Sequence, residues 1–225
     1  MKISVIIAAY REAENLVPVL ERVKASLPQA LEILVVDDGS PDDTAKVARE
    51  AGARVVSHSR KMGKGLALRT GMREARGDLI VFLDADGQDP PEELPRLVAP
   101  ILEDRADFTN GSKFLGECRP GAISSLNRGG NLFMSGLINL LFGARITDSQ
   151  SGFRAFRRDK IADFDLIARE YEIETEMLIK SIKKRLRIME IPVVREKRQA
   201  GKTGFNRVRN GCRILFWILK ERFTL

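Results

Sequence analysis

Residues 79–88 read LIVFLDADGQ: five consecutive apolar residues lead directly into two aspartates that one alanine separates. An apolar run of this length, ended by turn-forming residues, is typical of a strand buried on both faces of a sheet. Two similar runs come earlier, at Ile3–Ala9 and Glu32–Val36. Such strands belong to parallel sheets whose two faces are covered by helices.

Helical segments alternate with these strands through the first half of the chain. Glu14–Leu27 and Leu66–Ala75 carry apolar residues at helical spacing. Ser40–Asp43 has the features of a helix start, with serine as N-cap, proline next and acids in the first turn. Arg54–Ser57 predicts a shorter strand. The alternation predicts an α/β fold, a Rossmann-like and mostly parallel sheet flanked by helices.

The second half of the chain is less regular. The glycine-rich segment 111–130 predicts a linker. It leads into a long apolar helix at Gly129–Ala144, which we expect to be buried or interfacial. A helix at Ile173–Lys184 and a strand at Arg187–Val193 follow.

Positive charge is concentrated at the C-terminal end. The net charge is +7, and residues 195–225 hold nine Lys/Arg against two Asp/Glu, so the preceding residues sum to zero. We expect one globular domain at residues 1–204 and a basic amphipathic helical tail at 205–225. Its apolar side suits an anionic membrane surface or packing on the core equally well. The basic tail indicates an anionic partner: a phosphate, a membrane or a nucleic acid.

The few cysteines and the single histidine exclude some kinds of metal site and indicate the cellular compartment. Cys118 and Cys212 lie far apart and form neither a metal cluster nor a disulfide framework, which fits a reducing compartment. The single histidine, His58, excludes a histidine-rich metal site. The apolar run at Ile3–Ala9 has strand length, and no uncharged run has the length and hydrophobicity of a membrane span. We therefore expect a cytoplasmic protein.

Acidic residues follow three of the predicted strands. These are Glu12 and Glu14, Asp37 and Asp38, and Asp84 and Asp86. Ligands of parallel sheets bind beyond the carboxyl ends of the strands, so the three clusters predict one site. Two carboxylates one residue apart are typical ligands of Mg²⁺ or Mn²⁺, which substrate phosphates complete. An Asp-Gly surface turn is the alternative, and the buried strand before Asp84 favours the metal.

Two further stretches suggest contacts with a nucleotide. The turn Asp37–Ser40 offers a carboxylate that can accept a hydrogen bond from a nucleobase N–H. Glycines and cations at Arg60–Gly65 precede a helix, which is typical of a phosphate cradle. The spacing is not that of a Walker A loop, and a solvated basic turn explains the stretch equally well.

Five motifs occur in order along nearly the whole chain: Val5–Glu12, Val36–Ser40, Lys64-Gly65, Asp84–Glu92 and Ser151–Arg154. Together they resemble the family 2 glycosyltransferases of the GT-A fold, in the dolichol- or polyprenyl-phosphate mannosyltransferase and glucosyltransferase branch. The resemblance implies inverting transfer of a hexose, with mannose preferred, from a nucleotide-sugar to a polyprenyl phosphate. It implies Mg²⁺ or Mn²⁺ as cofactor and a peripheral position at the cytoplasmic membrane face, directly or through a membrane partner.

The resemblance also assigns residues. The catalytic and metal-binding set is Asp84, Asp86 and Gln88. The nucleotide-sugar set is Ala9, Tyr10, Glu12, Val36, Asp37, Lys64, Ala85, Arg198 and Lys202. The acceptor phosphate set is Lys113, Arg128 and Arg154. Members often carry proline near Ala8–Ala9 and Gly-Glu-Ser-Lys after the arginine; here the second run is Gly201–Gly204, so Lys202 is a candidate replacement for the lysine.

The acceptor decides whether a general base is needed. A hydroxyl requires one within hydrogen-bond reach, whereas a phosphate with a second pKa of about 6 is already ionised at neutral pH. We therefore name no base. Glu174 and Glu176 would serve a hydroxyl acceptor, although their pattern favours the solvent face of a helix. Asp148 either orders the loop near the acceptor or caps it.

Three alternative functions stay open or are weakened by missing motifs. The first is a soluble family 2 transferase that uses a UDP-sugar and a glycan or other hydroxyl acceptor; the Gln-x-x-Arg-Trp signature of processive synthases is absent. A nucleotidyltransferase would carry a glycine-rich basic loop after the first strand, where Tyr10–Glu14 stands. A nucleic-acid module lacks an aromatic-interleaved sheet motif, and we expect no nucleic-acid partner.

Overall fold

The computed structural model describes residues 1–201 and 206–223. The strands are β1 (Ile3–Ala9), β2 (Glu32–Asp37), β3 (Arg54–Ser57), β4 (Leu79–Asp84), β5 (Phe108–Cys118), β6 (Arg154–Arg157) and β7 (Ile188–Arg195). The helices are α1 (Ala13–Ser26), α2 (Thr44–Glu50), α3 (Lys64–Glu74), α4 (Leu94–Leu102), α5 (Ser125–Phe142), α6 (Arg158–Ile161), α7 (Glu172–Lys183) and α8 (Arg207–Phe223). A 3-10 turn at Pro91–Glu93 precedes α4.

The seven strands form one sheet in the order β3-β2-β1-β4-β6-β5-β7. The first four neighbours are parallel, β6 runs antiparallel to β4 and β5, and β5 and β7 are parallel to each other. The register pairs Ala9 with Asp37 and Ala8 with Asp84, so the acidic ends of β2 and β4 flank the end of β1. The predicted α/β fold with a mostly parallel sheet is confirmed.

Hydrophobic clusters cover both faces of the sheet. Along β1, Val5 and Ile7 belong to one cluster and Ile6 to the other, as the alternation of side chains in a strand requires. Helix α3 packs closely on the second face, because a Cβ at Gly71 would lie 2.4 Å from Ile6 Cγ2. The strands therefore hold their carboxyl ends, and the acidic residues there, in fixed positions.

Several predicted elements differ from the structure. The expected linker 111–130 contains the second part of β5 and the start of α5. Strand β5 escapes pattern analysis because its buried Asn110 and Ser112 are polar; they bond to Asp148 and Thr147 across the fold. The helix expected at Ser40 begins at Thr44.

The strand β6 was also not predicted. It has four residues, and arginines stand at both its ends. Such a short strand carries too little periodicity to be recognised from sequence.

The helix expected to be buried or interfacial and the helix of the predicted tail both lie on the surface. In α5 only Ser135 and Ile138 are buried, so its outer side is exposed. Helix α8 is the described part of the predicted tail, and it packs on α5 and α7 through Ile214 and Ile218. Within the described residues, none of the helices combines the length and hydrophobicity that a membrane span requires.

Candidate active site

A cleft of about 1160 Å³ opens at the carboxyl ends of β1 and β4. Its lining includes most of the residues singled out from the sequence: Ala9, Tyr10, Glu12, Lys64, Ala85, Lys113 and Arg198, together with the set Asp84, Asp86 and Gln88. One wall comes from α5 and α8, through residues such as Asn127 and Arg209. Segments from the first strands and from the C-terminal helix, which lie far apart in sequence, thus line one cavity.

Lys64 forms the centre of a buried charge cluster in the cleft. Its ammonium lies 2.6 Å from Asp84 Oδ1 and 2.8 Å from Glu174 Oε1. Burial by itself would lower the pKa of Lys64, but the two carboxylates outweigh it and raise that pKa. Burial likewise opposes ionisation of Asp84, yet Lys64 lowers the pKa of this carboxyl below its ordinary value.

The pKa of Glu174 is shifted in the opposite direction from that of Asp84. Burial raises the pKa of Glu174 in spite of Lys64, and its Oε2 has no hydrogen-bond partner among the described residues. The expectation that Glu174 and Glu176 face solvent is wrong, since both are buried. Helix α7 is enclosed on almost every side, and Glu176 accepts hydrogen bonds from the backbone of Ile167 and Ala168.

Arg198 and Arg195 surround the second aspartate of the pair. Arg198 Nη1 lies 3.2 Å from Asp86 Oδ2, and its Nη2 donates to Glu12. Arg195 bonds to Asp89 at 2.5 Å and to Gln88 Oε1 at 3.0 Å. Arg195 and Asp89 were given no role from the sequence, although Asp89 lies within the motif Asp84–Glu92 and Arg195 in the basic run that contains Arg198.

The charge balance at Asp86 fits a cation. Burial is the largest cause that raises the pKa of Asp86, and the neighbouring Asp84 and Asp89 add to it, although Arg195 opposes them. A divalent cation held by Asp84 and Asp86 would relieve this repulsion, and carboxylate oxygen suits a hard ion. Within residues 1–201 and 206–223, three or more His, Cys, Asp or Glu side chains do not gather into a metal cage. The donor set therefore fits a metal that shares its ligands with substrate phosphates.

A glycine makes room for this acidic pair. A Cβ at Gly152 would lie 2.8 Å from Asp84 Oδ2. The Ser-Gly-Phe-Arg motif therefore has a physical role, because any larger residue at position 152 would displace the carboxylate.

The paired aspartates at the end of β2 have different positions. Asp37 is buried outside the cleft lining and accepts from the backbone N–H of Ser40 at 3.0 Å. Asp38 lines the cleft, and its carboxylate contacts His58 and the N–H groups of Met62 and Gly63, each at 2.8 Å. Asp38 thus fixes the loop that carries Lys61, whose ammonium lies 4.1 Å from the centre of the Tyr10 ring.

Val36 lies in the core, with none of its surface exposed. Its side chain therefore offers no contact to a nucleotide. Lys202 lies outside the described residues.

The three cations expected to meet the acceptor phosphate are not equivalent. Lys113 Nζ bonds to Asp148 Oδ2 at 2.5 Å, and Arg128 is exposed on α5. The cations of both lie within 5.4 Å of the Phe114 ring centre. Arg154 does not fit the expected role because it is fully buried and outside the cleft lining.

The guanidinium of Arg154 instead supports the wall of the cleft. It donates to the backbone oxygens of Ser149 and Glu174, at 2.8 Å and 2.5 Å. Burial lowers its pKa to about 10, and nearby carboxylates oppose that change.

Glu190, on β7, holds the loop that contains Asp148. It accepts from Thr147 N at 2.7 Å, Thr147 Oγ1 at 2.8 Å, Asp148 N at 3.1 Å and Asn110 Nδ2 at 3.1 Å. Asp148 itself is fully buried and lines the cleft, in agreement with a role in ordering this loop. Glu190 was not predicted from the sequence, because a single acid in a strand gives no pattern.

Comparison with known proteins agrees with this geometry. The sequence model of glycosyl transferase family 2 matches residues 4–164. The chain is 34% identical to the dolichol-phosphate mannosyltransferase of Pyrococcus furiosus, over 96% of this chain and 64% of that protein. It is 31% identical to the undecaprenyl-phosphate mannosyltransferase of Micrococcus luteus, over 90% of this chain and 87% of that one. The chain thus spans less than two thirds of the Pyrococcus protein.

Among solved structures, it resembles glucosyl-3-phosphoglycerate synthase from Mycobacterium tuberculosis in complex with Mn²⁺ and UDP-glucose. The TM-score is 0.77 and the identity 26%, with 98% of this chain and 78% of that chain covered. The resemblance inferred from the five motifs is confirmed. The chain belongs to glycosyl transferase family 2 and is a glycosyltransferase of the GT-A fold.

Proposed function

We propose that this enzyme transfers a hexose, with inversion, from a nucleotide-sugar to a polyprenyl phosphate, and that it requires a divalent cation. The observation that carries the proposal is the Asp84–Asp86 pair at the head of the cleft, where burial and neighbouring acids raise the pKa of Asp86. The named relatives from Pyrococcus and Micrococcus support the acceptor class, and the Mn²⁺ complex of the similar structure supports the metal.

The donor diphosphate belongs beside this pair. When bound by Asp84 and Asp86, with Gln88 beside them, Mg²⁺ or Mn²⁺ supplies neutralisation of the leaving nucleoside diphosphate. Arg198 already contacts Asp86 and Glu12, and it can turn from them to the phosphates. Tyr10 and the loop fixed by Asp38 border the space for the nucleoside.

The acceptor approaches from the side of α5. Lys113 and Arg128 flank Phe114 there and offer positive charge to a phosphate. A phosphate acceptor needs no base, and the carboxylates of Asp84, Asp86, Asp89 and Asp148 are each paired with a lysine or arginine. Mannose is our preferred sugar by analogy with the two mannosyltransferases. We propose that the reaction takes place at the cytoplasmic face of a membrane; the lipid nature of the proposed acceptor and the two free cysteines support this location.

A second candidate follows from Glu174. Glu174 lines the cleft, burial raises the pKa of its carboxyl, and its buried Oε2 has no hydrogen-bond partner among the described residues, which suits a general base for a hydroxyl acceptor. In that case the enzyme uses a UDP-sugar and a glycan or other hydroxyl compound.

A transfer assay separates these functions. GDP-mannose and UDP-glucose are each offered with a short-chain polyprenyl phosphate or with a hydroxyl acceptor, with Mn²⁺ or with EDTA. We expect product only from a polyprenyl phosphate and only with the metal, and loss of product in Asp86→Asn. Asp159→Asn is the matched control, because this side chain is 61% exposed on the short helix α6. Product with a hydroxyl acceptor alone would establish the second candidate.

A further inference from the structure

The single histidine of the chain joins the end of β2 to helix α3. His58 Nδ1 lies 2.8 Å from Asp38 Oδ1, and its Nε2 lies 3.0 Å from Thr70 Oγ1 of α3. The backbone N–H of His58 also donates to the carbonyl oxygen of Asp37 at 2.9 Å. A carboxylate only accepts hydrogen bonds, so Nδ1 donates to Asp38, and Nε2 of the neutral ring accepts from Thr70. Both ring nitrogens are therefore used, and the orientation of the ring is fixed.

Asp38 transmits this orientation to the loop between β3 and α3. Its Oδ1 also accepts from the N–H of Met62, and its Oδ2 accepts from the N–H of Gly63, each at 2.8 Å. The side chain of Asp38 is 4% exposed, whereas residues 59–62 of the loop are exposed. Hydrogen bonds to a buried carboxylate are stronger than those at the surface. The loop is therefore held to the sheet by a carboxylate that the histidine orients.

The loop carries a cation of the cleft wall. Lys61 and Tyr10 both line the cleft, and the ammonium of Lys61 lies 4.1 Å from the centre of the Tyr10 ring. The guanidinium of Arg11 lies 5.5 Å from the same ring centre, and the N–H of Arg11 donates to Ser40 Oγ. The wall thus consists of two cations and an aromatic ring, mounted on the turn after β2 and on the loop.

The loop packs tightly on the turn below it. A Cβ at Gly39, whose φ is +70°, would overlap the backbone of Arg60. A Cβ at Gly63 would likewise overlap the carbonyl oxygen of Arg169. A loop released from Asp38 would therefore move outward, away from the turn, and take its lysine away from the tyrosine ring.

We infer that His58 is a positioning residue for donor binding: it orients Asp38, and Asp38 keeps Lys61 beside Tyr10 at the nucleoside end of the cleft. His58 lies outside the cleft lining, so its role is indirect. The link to the donor rests on the proposed function, whereas the ordering of the loop does not. A histidine with a merely structural role would lower stability but leave the donor affinity of the folded protein unchanged.

Hydrogen–deuterium exchange of the substrate-free protein tests the ordering of the loop. His58→Leu removes both ring contacts, and we expect the amides of Met62 and Gly63 to exchange at least about tenfold faster than in the wild type. His58→Asn keeps an N–H that can donate to Asp38, and it should restore part of the protection. Thr70→Val removes the hydroxyl that supports the ring, so it should change exchange in the same direction as His58→Leu. Thermal unfolding verifies that each variant is folded.

Calorimetric titration of GDP-mannose and of UDP-glucose, each with Mn²⁺, tests the link to the donor. We expect His58→Leu to raise the Kd of the nucleotide-sugar that binds by about tenfold, with kcat at saturating donor unchanged. Lys61→Met should also raise this Kd, and the double variant should bind no more weakly than the weaker single variant, because both changes remove the same contact.

Arg60→Met is the matched control, since Arg60 is an exposed neighbour in the same loop and lies outside the cleft lining. We expect it to keep the exchange rates and the Kd of the wild type. Wild-type loop exchange or a wild-type Kd in folded His58→Leu overturns the inference. Additive losses in the double variant also overturn it, because His58 would then act independently of Lys61. No binding of either nucleotide-sugar by the wild type contradicts the proposed function, and the exchange rates still decide whether His58 holds the loop.

Discussion

The ammonium of Lys64 lies 2.6 Å from the carboxylate of Asp84, where the start of α3 meets the end of β4. The same ammonium reaches Glu174 of α7, so one lysine neutralises two buried acids. Removing one member of such a buried cluster leaves uncompensated charge, which costs more than the intact cluster contributes. The cleft is therefore organised by this lysine before any substrate binds.

Replacement of Lys64 by methionine should destabilise the fold. We expect Lys64→Met to lower the free energy of unfolding by about 3 kcal/mol, because Asp84 and Glu174 are left without their counter-ion. Urea denaturation measures the change, and Lys46→Met on the exposed side of α2 serves as control. Lys64→Met/Glu174→Gln should recover part of the loss. A Lys64→Met protein as stable as the wild type would show that the cluster is not held by charge.

Replacement of Glu174 by glutamine distinguishes the two acceptor classes. With a phosphate acceptor, we expect kcat to fall by less than about tenfold, since no proton has to be removed. With a hydroxyl acceptor, loss of a general base costs about 10²- to 10⁴-fold. Steady-state kinetics of the wild type and of Glu174→Gln, with whichever acceptor is active in the transfer assay, measures this change in kcat. A large loss of kcat with a polyprenyl phosphate would contradict the proposed chemistry.

The first half of the fold was predictable from sequence because it follows simple periodic patterns. The strands at Ile3–Ala9 and Leu79–Asp84 are buried runs, and Glu12, Asp84 and Asp86 at their ends converge in the cleft, whereas Glu14 lies outside its lining. The second half of the fold was not predictable in this way, because its functional residues are buried polar side chains. The position of Glu174 in the sequence of α7 is typical of a solvent-facing residue, and only tertiary packing buries it.

The same limit applies to Glu190 and Arg154. Each bonds to backbone groups brought close by the fold, and sequence spacing does not record such pairs. The family resemblance placed Arg154 at the acceptor, whereas its burial shows that it supports the wall instead. Motifs thus located the site better than they assigned roles within it.

Glu190→Gln should loosen the loop at Thr147 and Asp148. Each carboxylate oxygen accepts from two donors, and a glutamine NH₂ would face one of these donor pairs. We expect a loss of about 1–3 kcal/mol in stability, with a higher KM for the acceptor. Glu117→Gln, at a side chain that is 55% exposed, is the control. Unchanged stability and KM would refute the positioning role.

The salt bridge between Asp107 and Arg187 should make stability depend on pH. Hydrogen bonds from Arg187 are the largest cause that lowers the pKa of Asp107 below its ordinary value of 3.8. A carboxyl whose pKa is lower in the folded state stabilises the protein above its unfolded pKa, and this contribution is lost as pH falls through the folded pKa.

We therefore expect Asp107→Asn to have a lower Tm than the wild type at pH 7. The difference should shrink as the pH is lowered through about 4 and below. Thermal unfolding across this range measures it. A difference that stays constant with pH would mean that shape, and not charge, accounts for the contribution of Asp107.

The most direct measurement is calorimetric titration of GDP-mannose and of UDP-glucose into the protein, with Mn²⁺ and then with EDTA, repeated on Asp86→Asn and on the control Asp159→Asn. We expect one nucleotide-sugar to bind only with the metal, and we expect Asp86→Asn to lose this binding while the control keeps it. Binding of equal strength in EDTA, or in Asp86→Asn, would contradict a metal-dependent donor site at Asp84 and Asp86.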